Sequence, residues 1–269
     1  MADKIFLDND KTVILIDASY YVFYRYFATM RWFSFQKKEF DIENIHEDKE
    51  FITSFIKHVD SDITKICKKW KTTKNNIILC SDCQRCNIWR NDLYKDYKGS
   101  RIQNTNFNGS IFNIFYDHIN IYNIKKVFFE RLEADDVIFL LYKQIKNHTN
   151  NITIISNDND YLQLTDGNIQ IVNMQFKDIT QRGNKDPLIN LYYKAIYGDK
   201  SDNISKISSN ITKDKAQQLS ELNENELINW LEQNKLLDKF NFNMNLINFN
   251  NIPNQYVDTF YEKYEIEIL

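Results

Sequence analysis

Residues 13–17 read Val-Ile-Leu-Ile-Asp, four apolar residues in a row that end on a carboxylate. A short apolar run of this kind is typical of a strand buried on both faces, as in a parallel sheet. Similar runs follow at residues 76–80, 126–129, 152–156 and 168–173. Helical patterns lie between or after them, at residues 49–69, 113–121, 134–147 and 187–197. This alternation predicts an α/β fold in which helices flank a central, mostly parallel sheet.

The chain divides into two parts by its pattern. We expect residues 1–185 to form the sheet-containing core, because all the predicted strands lie there. After about residue 200 the strands stop, and the sequence becomes helical and rich in Asn. Residues 186–269 are therefore predicted to form a smaller helical section packed on the core.

Composition excludes several classes of protein. The chain has 269 residues, 43% of them hydrophobic, which suffices for a folded core. Its five glycines do not form a phosphate-binding loop, so we expect no small-molecule cofactor. No apolar run approaches the ~20 residues of a membrane span. With four cysteines and no secretion signal, we expect an intracellular protein of a reducing compartment, neither secreted nor bound to a membrane.

Acidic residues follow four of the predicted strands at or near their ends. They are Asp17, Asp82, Glu133, Asp135, Asp136, Asp158 and Asp160. Because the carboxyl ends of parallel strands meet at one edge of a sheet, we expect these side chains to converge there. Crowded carboxylates raise each other's pKa unless cations neutralise them. Oxygen ligands alone favour Mg²⁺, with Mn²⁺ as a substitute, and two such ions are the usual arrangement for phosphodiester cleavage.

Each acidic residue also has a simpler interpretation. Asp17 or Asp82, taken alone, is more typical of a turn or a helix N-cap. The acids between Glu133 and Asp136 equally suit the first turn of a helix, where they favour the helix dipole. Only the whole set, in its order along the chain, favours a metal centre.

Four segments together resemble the 5′-nuclease, or flap endonuclease, family of PIN-like fold. They are residues 13–17, 132–136, 155–164 and 198–204. The similarity is closest to bacteriophage 5′-exonucleases and the 5′-nuclease domain of bacterial DNA polymerase I. The resemblance implies a structure-specific 5′-nuclease, dependent on two Mg²⁺ ions, that acts on branched or 5′-ended DNA and on RNA/DNA primers. Such a protein would serve replication, repair or recombination.

The resemblance also implies roles for individual residues. The first metal would be held by Asp17, Asp82, Glu133 and Asp135, and the second by Asp136, Asp158, Asp160, Asp199 and Asp202. Lys98 and Arg101 would contact the scissile phosphate, and Phe23 would stack on a terminal base. On the simpler interpretations, Lys98 and Arg101 are solvated cations and Phe23 is a core residue.

Two segments depart from the family's pattern. Residues 205–216 contain no glycine, although the family has a glycine-rich helix-hairpin-helix there that grips duplex DNA. Lys213 and Lys215 remain as DNA-binding candidates, Asn210 could supply a left-handed turn, and a bound K⁺ at this hairpin is in doubt. The region at about 98–124, where the family has an arch, has almost no basic residue between Arg101 and Lys125, so threading of a 5′ strand is not evident.

Three alternatives stay open. Cys80, Cys83 and Cys86 have a spacing compatible with zinc or an iron–sulfur cluster, although Cys80 lies in a predicted buried strand. The chain could be a catalytically weak nucleic-acid-binding scaffold of the same fold. It could also cleave RNA, since two-metal chemistry at a phosphate does not select the sugar. We expect a monomer.

Overall fold

The structure is a computed structural model that describes residues 2–36, 41, 43–101, 106–149, 151–165 and 169–269. Its strands are β1 (Asp3–Leu7), β2 (Val13–Asp17), β3 (Ile77–Ser81), β4 (Lys125–Phe128), β5 (Ile152–Ile155), β6 (Ile169–Val172) and β7 (Tyr264–Ile268). Its α-helices are α1 (Ala18–Ser34), α2 (Lys49–Trp70), α3 (Arg90–Leu93), α4 (Ile111–Asn120), α5 (Ala134–Ile145), α6 (Pro187–Tyr197), α7 (Lys213–Ser220), α8 (Glu224–Gln233), α9 (Leu237–Ile247) and α10 (Asn254–Lys263).

Five strands form one parallel sheet in the order β4-β3-β2-β5-β6. β2 lies at its centre, and the four apolar residues of this strand are all buried. In register, Asp17 stands opposite Cys80 of β3, and Ile16 stands opposite Ile155 of β5. The carboxyl ends of these three strands therefore lie side by side, and the acidic residues that follow them share one edge of the sheet.

Helices cover both faces of the sheet. Successive residues of a strand point to opposite faces, so Leu15 packs in the core that includes Val137 of α5. Ile14 and Ile16 pack in the opposite core, which α1, α2 and α4 complete with residues such as Phe55. Burial on both sides explains why the central strands are apolar throughout rather than alternating.

The C-terminal section contains α6 to α10 and also a strand. β7 pairs in parallel with β1 at the opposite end of the chain, so the expectation that strands stop after about residue 200 is wrong here. Phe260 and Tyr264 join the same core as the sheet residue Leu15. Five residues of alternating apolar and polar character are a weak signal for a strand. The pairing of β7 is also hard to predict, because β1 is more than 250 residues away along the chain.

The predicted fold class is confirmed. The five predicted strands and four predicted helices lie within two residues of observed elements in the described chain, and α6 has the predicted bounds. Residue 168, the first of one predicted strand, lies outside the described residues, as do residues 102–105 of the predicted arch region. In the part of the chain that the structure describes, no helix is both long and apolar enough to cross a membrane.

Candidate active site

Two carboxylates stand at the ends of the neighbouring strands β2 and β3. Asp17 caps α1, because its side chain accepts a hydrogen bond from the backbone N–H of Tyr20 at 3.0 Å. Asp82 accepts from the Ser19 hydroxyl and, at 2.8 Å, from the backbone N–H of Ala134 at the start of α5. Asp82 thereby links three segments that carry acidic residues and holds α5 beside the strand ends.

The electrostatics of Asp17 favour a nearby cation. Burial, and then the carboxylate of Asp82, raises the pKa of Asp17 to about 6. The hydroxyls of Ser156 and Tyr161 donate to its second oxygen at 3.2 and 3.4 Å. These hydrogen bonds stabilise the ionised carboxylate, but they only partly offset the effect of burial on its pKa. Carboxylates perturbed by burial and by like charges are typical of functional sites.

The first turn of α5 brings three acidic side chains together. Glu133, Asp135 and Asp136 each place an oxygen within 4.8 Å of the others. Burial, followed by the charges of Asp136 and Glu133, raises the pKa of Asp135 well above its usual value. Burial alone would raise the pKa of Glu133, but Lys98 and Arg90 lower it. Glu133 is thus ionised as the structure stands, whereas an ionised Asp135 requires a further cation.

Sequence reasoning missed Arg90, a buried arginine in α3. Its guanidinium donates to the two oxygens of Asp136 at 2.7 and 2.8 Å and to Glu133 at 2.9 Å. It also donates to the backbone carbonyl of Leu246 at 2.7 Å, and the indole N–H of Trp89 donates to Asp136 at 3.0 Å. Both oxygens of Asp136 are therefore held by groups of this chain. This geometry favours a positioning role for Asp136, and its assignment as a metal ligand stays a prediction.

Replacing Arg90 with methionine is expected to lower the free energy of unfolding by about 3–5 kcal/mol, because Asp136 and Glu133 would lose their buried counter-ion. Urea denaturation followed by circular dichroism measures this loss. The double variant Arg90→Met with Asp136→Asn should recover part of it, since one buried charge is removed with its partner. A loss below about 1 kcal/mol in the single variant would contradict the buried ion pair.

A second acidic group combines one residue that follows β5 with two that follow α6. Asp160, Asp199 and Asp202 place oxygens within 4.8 Å of one another. Lys194 of α6, which the sequence did not single out, forms ion pairs with Asp160 and, at 2.6 Å, with Asp199. Burial would raise the pKa of Asp199, but Lys194 and the hydrogen bonds from Ser201 lower it to about 2. The ammonium of Lys194 therefore compensates part of the negative charge of this group.

Asp158 lies at the solvent side of the same edge. It caps the 3-10 helix over Asn159–Leu164, accepting from the backbone N–H of Asp160 at 2.9 Å. Its carboxylate is close enough for its charge to act on both Asp17 and Lys194. Asp158 thus stands between the strand-end acids and the second acidic group.

The segment around Lys98 joins the two acidic groups. The Tyr97 hydroxyl lies 3.0 Å from an oxygen of Glu133 and 3.0 Å from one of Asp202. The Lys98 ammonium contacts Glu133 and lies 3.9 Å from Asp202. Arg101 donates to Asp202 at 2.7 Å, and its side chain is 46% exposed. Lys98 therefore lies near both acidic groups, whereas Arg101 pairs with the second one alone.

The sequence was compared with models of known protein families. Residues 12–189 match the family described as 5′-3′ exonuclease, N-terminal resolvase-like domain. The chain belongs to the 5′-3′ exonuclease family. This confirms the resemblance deduced from the sequence motifs.

Individual relatives of the chain agree with the family match. A 5′-3′ exonuclease of Mycoplasmopsis pulmonis is 29% identical over 202 residues, covering 72% of this chain and 61% of the relative. One of Buchnera aphidicola is 28% identical over 203 residues, covering 73% and 65%. The chain thus spans less than two thirds of the length of these relatives. A DNA polymerase I of Bacillus caldotenax is 24% identical over 210 residues, covering 72% of this chain and 21% of the polymerase.

Solved structures share the fold of this chain. A bacteriophage T5 protein co-crystallised with metal ions superposes with a TM-score of 0.63 at 16% identity, covering 93% of this chain and 97% of the other. The T5 flap endonuclease in a pseudo-enzyme-product complex with DNA and metal ions gives 0.61 at 16% identity, covering 93% and 96%. At this identity the likeness establishes the fold of the chain.

The remaining predicted site residues lie outside the two acidic groups. Phe23 is 38% exposed and packs on Phe107, with ring centroids 4.1 Å apart. It therefore combines packing with an accessible edge. Lys213 begins α7, and the Lys215 ammonium lies 5.5 Å from the centre of the Trp230 ring. DNA-binding roles for these three residues stay predictions.

The cysteines of this chain do not converge on a common metal site. Cys80 and Cys83 are buried, whereas Cys86 is exposed. Burial raises the pKa of the Cys80 thiol well above its usual value, which disfavours the thiolate that metals bind. Among the described residues, the groups of three or more side chains placed for a metal ion contain carboxylates alone. The zinc or iron–sulfur alternative therefore finds no support in this geometry.

Proposed function

We propose that the chain is a divalent-metal-dependent, structure-specific 5′-nuclease that hydrolyses DNA phosphodiesters near 5′ ends or branches. The observation that carries the proposal is the union of the two acidic groups through Tyr97 and Lys98, each of which lies near both Glu133 and Asp202. A structural protein gains nothing from such mutually repelling carboxylates. The names of the relatives and the DNA complex of the T5 neighbour support the same activity.

The side chains fit two divalent cations. Their donors are all carboxylate oxygens, which suits Mg²⁺ or Mn²⁺. Burial and neighbouring carboxylates raise the pKa of Asp17 and Asp135, which supports a cation beside them. The first ion would be held by Asp17, Asp82, Glu133 and Asp135, and the second by Asp158, Asp160, Asp199 and Asp202. When bound, such ions activate a water molecule and neutralise charge on the leaving oxygen.

The cations of the chain complete the proposed site. Lys98 and Arg101 pair with Glu133 and Asp202, and so stand beside the carboxylates that would hold the ions. A fixed ammonium and guanidinium beside the scissile phosphate stabilise the charge that develops in the transition state. The half-exposed edge of Phe23 could then stack on a terminal base. In this proposal the substrate is branched or 5′-ended DNA, including primers, and the protein acts as a monomer.

Cleavage of a labelled 5′-flap duplex tests the proposal directly. We expect cuts near the branch in Mg²⁺ or Mn²⁺, none in EDTA, and products that carry a 5′-phosphate and a 3′-hydroxyl. A matched substrate with an RNA flap measures sugar selectivity, and gel filtration measures the oligomeric state. A wild-type protein that binds these substrates but cuts none of them with either metal would instead be a scaffold.

A further inference from the structure

The hairpin before α7, residues 205–212, turns without glycine. Among residues 198–234, positive φ angles occur only at Gly198 (78°) and Asn203 (61°). The suggestion that Asn210 supplies a left-handed turn is therefore wrong, because the turn at residues 209–210 uses ordinary backbone angles. Something other than glycine geometry must hold this hairpin together.

A lysine side chain closes the hairpin from within. The Lys206 ammonium donates to the backbone carbonyl of Ile211 at 2.9 Å, across the turn. The same ammonium lies 4.2 Å from the centre of the Tyr197 ring at the end of α6, and Tyr197 stacks on Tyr193 with ring centroids 5.6 Å apart. Lys206 is half-buried. Its charge is thus held in a defined place by a carbonyl dipole and an aromatic face.

Further contacts fix the entry to the hairpin. The side-chain amide of Asn243 in α9 donates to the carbonyls of Ala195 and Ser205 at 2.7 and 2.9 Å. The backbone N–H of Ile207 donates to the Ile196 carbonyl at 3.0 Å. The backbone of residues 205–207 is therefore held by α6 and α9. The Lys206 side chain then links this segment to Ile211 on the other side of the turn.

We propose that the Lys206 ammonium takes the place of a monovalent cation in this hairpin, an inference that rests on the proposed function because the hairpin would grip duplex DNA. A K⁺ ion on the Ile211 carbonyl would lie beside the Lys206 ammonium, which already donates to that oxygen, and the two positive charges would repel each other. The hairpin does not fit a K⁺ ion in this arrangement. The covalently attached charge precedes α7 and can attract duplex phosphates whichever monovalent salt is present.

The test compares wild type, Lys206→Met and Lys206→Arg in equal concentrations of KCl and tetramethylammonium chloride. Affinity for a fluorescent 5′-flap duplex is measured by anisotropy, with Ca²⁺ as the divalent ion. We expect the wild-type Kd to agree within about twofold between the salts. Lys206→Met should bind about tenfold more weakly in tetramethylammonium chloride, because it loses a charged hydrogen bond, and Lys206→Arg should stay near wild type.

Two outcomes would overturn the proposal: wild-type binding that tightens several-fold in KCl, or Lys206→Met binding like wild type in tetramethylammonium chloride. If Lys206→Met does not fold, the comparison of wild-type DNA binding in the two salts still tests whether the hairpin needs K⁺. Melting temperatures without DNA give a second readout, since KCl should raise the Tm of Lys206→Met but not that of wild type. Failure of cleavage would reject the proposed nuclease activity. The DNA affinities and melting temperatures would still test the role of Lys206.

Discussion

Asp17→Asn is expected to reduce metal-dependent DNA cleavage by about 10³-fold or more, because it removes a central negative charge from the proposed metal centre. The substitution preserves the local fold. The Asn oxygen can still accept from the backbone N–H of Tyr20, and the hydroxyls of Ser156 and Tyr161 can accept from the new amide. Single-turnover cleavage of a 5′-flap duplex in Mg²⁺ measures the effect.

The same variant makes a stability prediction of opposite sign. The pKa of Asp17 is raised to about 6 by burial and then by Asp82, above the ~3.9 of an unfolded chain. The ionised form is therefore unfavourable in the folded protein, and wild type loses stability as pH rises through this interval. In EDTA, the free energy of unfolding of Asp17→Asn should exceed that of wild type by about 1–3 kcal/mol at pH 8. The excess should be far smaller at pH 4.

A matched control distinguishes the loss of a metal-binding carboxylate from the general effect of losing any carboxylate. Asp186 is exposed and caps α6 by accepting from the backbone N–H of Leu188 at 2.9 Å. Asp186→Asn preserves that cap and should retain wild-type cleavage within about twofold, since exposed substitutions have small effects. Equal activity in Asp17→Asn and wild type would reject the metal role of Asp17. An unchanged stability difference between pH 4 and pH 8 would reject the raised pKa.

The sequence could reveal the carboxylates of this site but not the cations that neutralise them. Asp17, Asp82 and Asp158 follow apolar strands, and the geometry of a parallel sheet carries such residues to one edge. Arg90 and Lys194 have no comparable local signal. Arg90 lies 46 residues before Asp136, and Lys194 lies 34 residues after Asp160. Their pairing depends on how α3 and α6 pack, which periodicity does not specify.

The same distinction separates the predicted from the unpredicted parts of the fold. The central strands are buried on both faces, so each one is recognisable as a separate apolar run. The pairing of β1 with β7 joins the two ends of the chain, and neither short strand is continuously apolar. The hairpin at residues 205–212 turns without glycine, and the Lys206 side chain donates a hydrogen bond across its turn. The local pattern of apolar residues identifies individual helices and strands, whereas contacts between distant residues decide how these elements pair and pack.

Lys98→Met is expected to lower kcat by about 10²–10³-fold, because the ammonium would no longer stabilise charge on the scissile phosphate. Lys98 also touches Glu133, and its charge is a principal reason why the pKa of Glu133 is lowered despite burial. Removing the ammonium should therefore raise the pKa of Glu133. Since Glu133 must be ionised to hold a metal ion, the acid limb of the pH–rate profile should move to higher pH.

A pH–rate profile at a Mg²⁺ concentration below saturation tests both effects, because protonation of Glu133 then competes with metal binding. The control is Lys95→Met, which removes a positive charge from an exposed residue three positions away and should leave both rate and profile within about twofold of wild type. A lower rate with an unshifted acid limb would mean that Lys98 acts on the phosphate alone, and the proposed coupling to Glu133 would be wrong. A wild-type rate in Lys98→Met would remove this lysine from the catalytic site. The two readouts therefore separate its action on substrate from its action on the metal-binding carboxylate.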